Sequence, residues 1–145
     1  MDYFEKAVEI LKKYKTIAVV GLSRGPEKDS FRVAQYLKMH GYRIVPVNPF
    51  ADEVLGEKSY KDLLDIPREI QRKIEVVDIF RPAKDVVPIV EQAIKLRQMT
   101  GNPKVIWMQL GIVNEQAARM AREAGLAVFM DSCIMREHLQ ISSTD

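Results

Sequence analysis

Apolar residues recur along the chain in two alternating rhythms, one of helical spacing and one of short unbroken runs. Tyr3, Phe4, Ala7, Val8, Ile10 and Leu11 share one face at helical spacing, which predicts an amphipathic helix over the first fourteen residues. Thr16 to Val20, TIAVV, is a β-branched run too short for a helix and reads as a strand. The helical rhythm returns from Ser30 to His40, with Phe31, Val33, Ala34 and Leu37 on the apolar side and Ser30 or Asp29 as the expected cap. Gly41 ends that helix, and Tyr42 to Val47 forms a second strand stopped by the PVNP turn. Polar residues and Gly56 then break the pattern between Phe50 and Pro67, where a short helix from Ser59 to Leu64 is expected. Three further strands, Glu75 to Phe80, Lys104 to Met108 and Leu126 to Met130, are separated by helices from Ala83 to Met99 and from Asn114 to Ala124, with Asn114 as cap. Cys133 to Gln140 is expected to add a last helical turn or two.

Strands alternating with helices at this spacing need right-handed crossovers, so the predicted fold is α/β: a Rossmann-like doubly wound parallel sheet of about five strands with helices on both faces. Nothing divides the chain, and residues 1–145 are expected to form a single domain. In chain order the natural strand arrangement is 3-2-1-4-5, which puts a ligand crevice beside the first strand where the winding reverses.

Composition narrows the function classes. The 22 basic and 20 acidic residues are too balanced to predict nucleic-acid binding, and no apolar run is long enough for a membrane span. The single cysteine, Cys133, excludes an internal disulfide framework and fits a reducing compartment, and MDYFEKAVEILKKY is not laid out as a targeting peptide, so a cytoplasmic protein is expected. Any anion site must be local.

In such sheets ligands sit beyond the C-terminal ends of the strands. After the first strand come Gly21, Leu22, Ser23, Arg24, Gly25, Pro26, Glu27 and Lys28, leading into a helix whose free amides suit a phosphate. The glycines miss the dinucleotide fingerprint, because Ser23 and Pro26 stand where its second and third glycines belong. After the second strand, Val47, Asn48 and Pro49 occupy the place of the acid that takes a ribose hydroxyl in NAD sites; nothing acidic stands between Asp29 and Asp52. After the third strand, Phe80, Arg81 and Pro82 give an aromatic ring, a cation and a rigid turn, with Arg81 free either to meet a ligand or to pair with an internal carboxylate. Gln109 follows the fourth strand; Asp131, Ser132 and Cys133 follow the fifth and lead to His138. Cys133, Glu137 and His138 include the residue types of a Cys/His catalyst, but a lone cysteine after a buried strand reads first as a small core residue. The two histidines, His40 and His138, have no metal-ligand spacing, so neither a catalytic set nor a metal site is predicted.

The segments AVVGLSRGPEKDSFRVAQYLKMHGYRIVPVNP, LGEKSYKDLLDIP, VVDIFRPAKDVVPIVEQAI and VIWMQLGIVNEQAARMAREAGLAVFMDSCIMREH, in this order, resemble the small stand-alone CoA-binding proteins, relatives of the N-terminal domain of succinyl-CoA synthetase alpha subunits and of ADP-forming acyl-CoA synthetases. The resemblance spans about residues 14–140. It implies coenzyme A as cofactor, with its phosphates on the loop of Gly21, Leu22, Ser23, Arg24 and Lys28. It further implies Asn48 and Pro49 beside the adenine, Phe80, Arg81 and Pro82 as the opposite wall, and a thiol arm running toward Gln109 and Cys133. Ser132 departs from the family, which often has arginine before the cysteine, and the phosphohistidine domain of the ligases has no counterpart in these residues. The expected function is binding of CoA or an acyl-CoA without chemistry of its own, as a carrier, sensor or subunit serving another protein. Two alternatives stand beside it: an NADP(H)-dependent oxidoreductase in which Arg24 or Arg43 takes the 2′-phosphate, and an interaction protein with a vestigial pocket.

Overall fold

The computed structural model describes residues 2–144, with side chains to residue 141. Five parallel strands make one sheet: β1 (Thr16–Val20), β2 (Arg43–Val47), β5 (Val76–Ile79), β6 (Val105–Met108) and β7 (Ala127–Phe129). Helices α1 (Tyr3–Lys13), α2 (Asp29–Met39) and α6 (Ile134–Thr144) cover one face; α4 (Val86–Thr100) and α5 (Glu115–Glu123) cover the other. The Rossmann-like doubly wound architecture is as the alternation of elements predicts.

The strand order is β2-β1-β5-β6-β7, that is 2-1-3-4-5 among the parallel strands, and not 3-2-1-4-5. The reason stands inside β2. Pro46 has no amide hydrogen, and its carbonyl points to the outer edge of the sheet, where it accepts from Tyr60 N at 3.1 Å rather than from a full neighbouring strand. A strand carrying that proline belongs at an edge, whereas the expected order would have placed it between two others. The reversal of winding still falls beside β1, now between β1 and β5.

The segment after β2 also differs from expectation. The short helix over 59–64 does not form; instead β3 (Glu53–Val54) and β4 (Glu57–Lys58) make an antiparallel hairpin. Its two turn residues, Leu55 and Gly56, both have positive φ, 55° and 76°, as a type I′ connection requires. Tyr60 then runs beside Val47 and its carbonyl accepts from Asn48 N at 2.8 Å, so the hairpin's continuation shields the β2 edge. A single tight turn at Leu63–Asp65, capped by Asp62, and a four-residue helix α3 (Arg68–Gln71) complete the crossover.

The core lies in two layers. Val20, Val77, Ile79, Ile106 and Met108 meet Val90, Ala93 and Leu96 of α4 and the alanines of α5. On the other face Ile17, Val19, Val76, Trp107 and Phe129 meet Ala7 and Leu11 of α1, Val33, Ala34 and Leu37 of α2, and Ile134 of α6. Trp107 is fully buried, stacked on Phe129 with centroids 4.3 Å apart, and its indole N–H donates to the Ser132 carbonyl at 2.8 Å. Asn114 caps α5 as expected, its side chain accepting from Ala117 N. Neither Asp29 nor Ser30 caps α2: the cap position is Lys28, and no side chain closes that helix end. The tail exceeds its predicted turn or two, since α6 runs for 11 residues.

Candidate functional site

The C-terminal ends of β1, β2 and β5 open on a cavity of about 560 Å³ at the point where the winding reverses. Eight residues singled out in the sequence line it: Gly21 and Ser23 from the first strand's loop, Val47, Asn48 and Pro49 from the second, and Phe80, Arg81 and Pro82 from the third. Three strand ends are drawn together by the Gly21 amide, which donates to the Val47 carbonyl at 2.9 Å, and by the Phe80 amide, which donates to Val20 at 2.8 Å. Gly21 has φ +87°, and a Cβ there would stand 3.2 Å from the Phe80 carbonyl and from Arg81 Cδ. Glycine is required by both the left-handed backbone and the close approach of the β5 end.

The loop from Gly21 to Lys28 is braced from within. Ser23 N donates to Ser30 Oγ at 2.9 Å, Gly25 N to Ser23 Oγ at 3.0 Å, and Lys28 N to the Gly25 carbonyl at 3.0 Å. Ser30, expected as a cap, is thus buried holding the loop. Among the described residues the amides of Leu22 and Arg24 have no protein acceptor, and α2 begins without a side-chain cap, so free N–H groups gather on this loop and helix start. Arg24 and Lys28 are exposed on the same loop and line no part of the cavity wall. The Leu22 side chain is fully buried in the core, so on this loop it offers its backbone alone.

Asn48 serves the scaffold. Its Nδ2 donates to the Leu22 carbonyl at 3.0 Å and its Oδ1 accepts from Phe50 N at 2.8 Å, so it ties the first loop to the second. The exposed faces beside it are Pro49 and Phe50, the latter 81% exposed. Arg81 donates to Asp85 Oδ2 at 3.1 Å, one helical turn on, while its side chain also lines the cavity. Lys61, Asp62, Leu63, Pro88, Ile89 and Gln92 complete the lining, none of which sequence reasoning found. Their contribution depends on the crossover returning against the β2 edge, which no local pattern announces.

A second cavity of about 400 Å³ adjoins the α2 and α6 starts and includes Phe80, Gln109, Leu110 and Cys133. Gln109 is buried, and its Oε1 accepts from the Ile134 amide at 3.1 Å, so it braces the start of α6. Arg43 opens β2 at its N-terminal end, paired with Thr16, and is therefore at the opposite end of the sheet from the cavities; the expectation that it reads a 2′-phosphate does not hold. Cys133 and His138 are also separated. His138 Nδ1 lies 2.7 Å from the Tyr36 hydroxyl, among the rings of His40 and Tyr42, and burial, then the neighbouring His40 and Lys15, lower its pKa below the ordinary histidine value. Among the described residues no three His, Cys, Asp or Glu side chains gather as metal ligands, and no helix is long and apolar enough to cross a membrane.

One interior group stands apart. Asp78, in the middle of the sheet between Val19 and Trp107, is fully buried, and neither carboxyl oxygen has a hydrogen-bond partner. Burial raises its pKa well above the ordinary carboxylate value.

Residues 15–139 match the model of the CoA binding domain family. An uncharacterized protein, YneT, of Bacillus subtilis is 41% identical over 130 residues, 90% of each chain. A hypothetical protein of Pyrococcus horikoshii superposes with a TM-score of 0.88 at 45% identity, covering 97% of this chain and 93% of that one. The alpha subunit of an ADP-forming acetate–CoA ligase of Pyrococcus furiosus is 28% identical over 138 residues, 88% of this chain but 29% of the subunit. A match over this length makes the chain a member of the CoA binding domain family.

Proposed function

We propose that the chain binds coenzyme A across the C-terminal ends of β1, β2 and β5 and performs no bond chemistry of its own there. The phosphates lie on the loop of Gly21, Leu22, Ser23, Arg24 and Lys28, where free amides and the uncapped start of α2 favour negative charge. Pro49 and Phe50 flank the adenine beside Val47 and Asn48; Phe80, Arg81 and Pro82 form the facing wall; the pantetheine arm passes Gln109. The observation that carries this reading is the pairing of a cationic loop with a second strand end that offers asparagine and proline instead of a carboxylate. The two acids of the cavity are engaged elsewhere, Asp85 by Arg81 and Asp62 by the Asp65 amide, so neither repels a ribose 3′-phosphate at full strength. Cys133 lines the second cavity while His138 is engaged with the Tyr36 hydroxyl, so the cysteine and histidine of the tail are not assembled as a pair, which supports a binding role over an enzymatic one.

Titration calorimetry with CoA, dephospho-CoA and NADPH tests the reading. CoA binds best, and both removal of the 3′-phosphate and Arg24→Ala weaken binding by about 1.5–3 kcal/mol, the value of a charge-assisted contact. The two losses overlap when combined if Arg24 meets that phosphate. Tighter binding of NADPH would favour the oxidoreductase, and indifference to all three ligands a vestigial pocket.

A further inference from the structure

The second cavity shares one lining residue with the first, Phe80. Its walls are of two kinds. Val33, Ile112 and Met135 are apolar, while Asp29, Arg32 and Arg136 bring charge from the starts of α2 and α6. Two of those charges cancel: Arg32 pairs with Asp29 and also donates to the Glu27 carbonyl at 2.7 Å. Arg136 is exposed, faces the cavity and has no ion pair or hydrogen bond to its side chain among the described residues. The cavity therefore holds one surplus positive charge, on a guanidinium whose planar fork suits a carboxylate.

We propose that this second cavity receives the acyl group of an acyl-CoA, and that Arg136 selects acyl groups that end in a carboxylate. The proposal rests on the CoA reading above: a ligand whose nucleotide fills the first cavity leads its flexible arm past Phe80 into the second. A free thiol leaves most of a cavity of about 400 Å³ unused. A neutral acyl chain covers Val33, Ile112 and Met135 but gives Arg136 nothing, whereas a terminal carboxylate matches both the apolar wall and the single unpaired cation. An acyl group ending in an amine meets like charge and is disfavoured.

Glutaryl-CoA and pentanoyl-CoA have acyl chains of equal length and differ in the terminal carboxylate, so they separate the charge from the apolar contact. Calorimetry at low salt is expected to show glutaryl-CoA binding about three- to tenfold more tightly than pentanoyl-CoA, the range of a partly exposed charge-assisted pair. Arg136→Gln, at an exposed position, is expected to abolish that preference and leave the affinity for CoA itself unchanged. Equal affinities of the two acyl-CoAs for the parent protein overturn the proposal. So does binding of both far below that of CoA, or an equal loss for CoA, glutaryl-CoA and pentanoyl-CoA in Arg136→Gln, which would make Arg136 a contact of the coenzyme's own phosphates. In each of those outcomes CoA still binds and only the acyl site falls; failure of the parent protein to bind CoA removes both readings together.

Discussion

At the N-terminal ends of the strands the polar groups are claimed by the protein, and at the C-terminal ends several are left without a partner. On the first side Glu75 accepts from the amides of Lys15 and Thr16, Tyr42 donates to the Leu11 carbonyl, and Arg97 donates to the carbonyls of Ala124, Pro103 and Gly125 at 3.1, 2.8 and 3.2 Å. On the second side the loop after β1 keeps the amides of Leu22 and Arg24 without an acceptor among the described residues, an uncapped helix start and the exposed cations Arg24 and Lys28, and Phe50 stands in solvent. Both ends close the same sheet with the same backbone chemistry. The difference teaches where stability and binding have been separated: groups satisfied by the protein hold the fold, and groups left unsatisfied are available to a ligand.

The largest effect is expected at Asp78, which belongs to neither end. Its folded pKa is raised, so the folded chain holds a proton that the unfolded chain releases above about pH 4. Its contribution is therefore fully present below that pH and is lost as pH rises toward the folded value. Urea unfolding from pH 4 to pH 8 should show this decline, and Asp78→Asn should flatten it; an unchanged slope would mean that the carboxyl finds a partner. Next come two arginines with opposite signatures. Arg97→Ala is expected to lower stability by about 1.5–3 kcal/mol and leave CoA affinity intact, while Arg24→Ala lowers affinity by a similar amount and changes stability by no more than about 0.5 kcal/mol. Thermal unfolding and calorimetry on the same two variants decide whether the division between the ends is real. Gly21→Ala touches both properties, because the left-handed backbone costs an alanine about 1–2 kcal/mol and its Cβ crowds Phe80. The smallest effect is a slope. His138 has a lowered pKa in the fold, so its contribution is present above about pH 6.5 and is lost as pH falls through the folded value. In His138→Gln that part of the pH dependence should disappear, while binding of CoA at the far end of the sheet stays the same.

Much of this was readable from residue order. The switch from helical to β-branched runs located all five parallel strands, and the position of each strand end placed Gly21, Pro49 and Phe80 around one crevice. The strand order was also present, in Pro46, but required asking which edge a missing amide can face. Other features are set by contacts across long stretches of chain. Ser30 looks like a cap and instead accepts from Ser23, because the loop folds back on it; Asn48 lines the cavity and also joins Leu22 to Phe50, a tie that no local pattern announces. Lys61 and Gln92 reach the cavity only because the hairpin continues along β2 and α4 packs beside it. His40 and His138 sit 98 positions apart in the chain and still meet, through Tyr36, at the tight end.

Amide chemical-shift mapping during titration with CoA locates the binding site without a variant. Shifts are expected to concentrate at Gly21 to Lys28, Val47 to Phe50 and Phe80 to Pro82, with Tyr36, His40, Tyr42 and His138 unmoved. Saturable shifts centred on those four residues at the opposite end of the sheet, or no shifts at any ligand concentration, would contradict the proposed site.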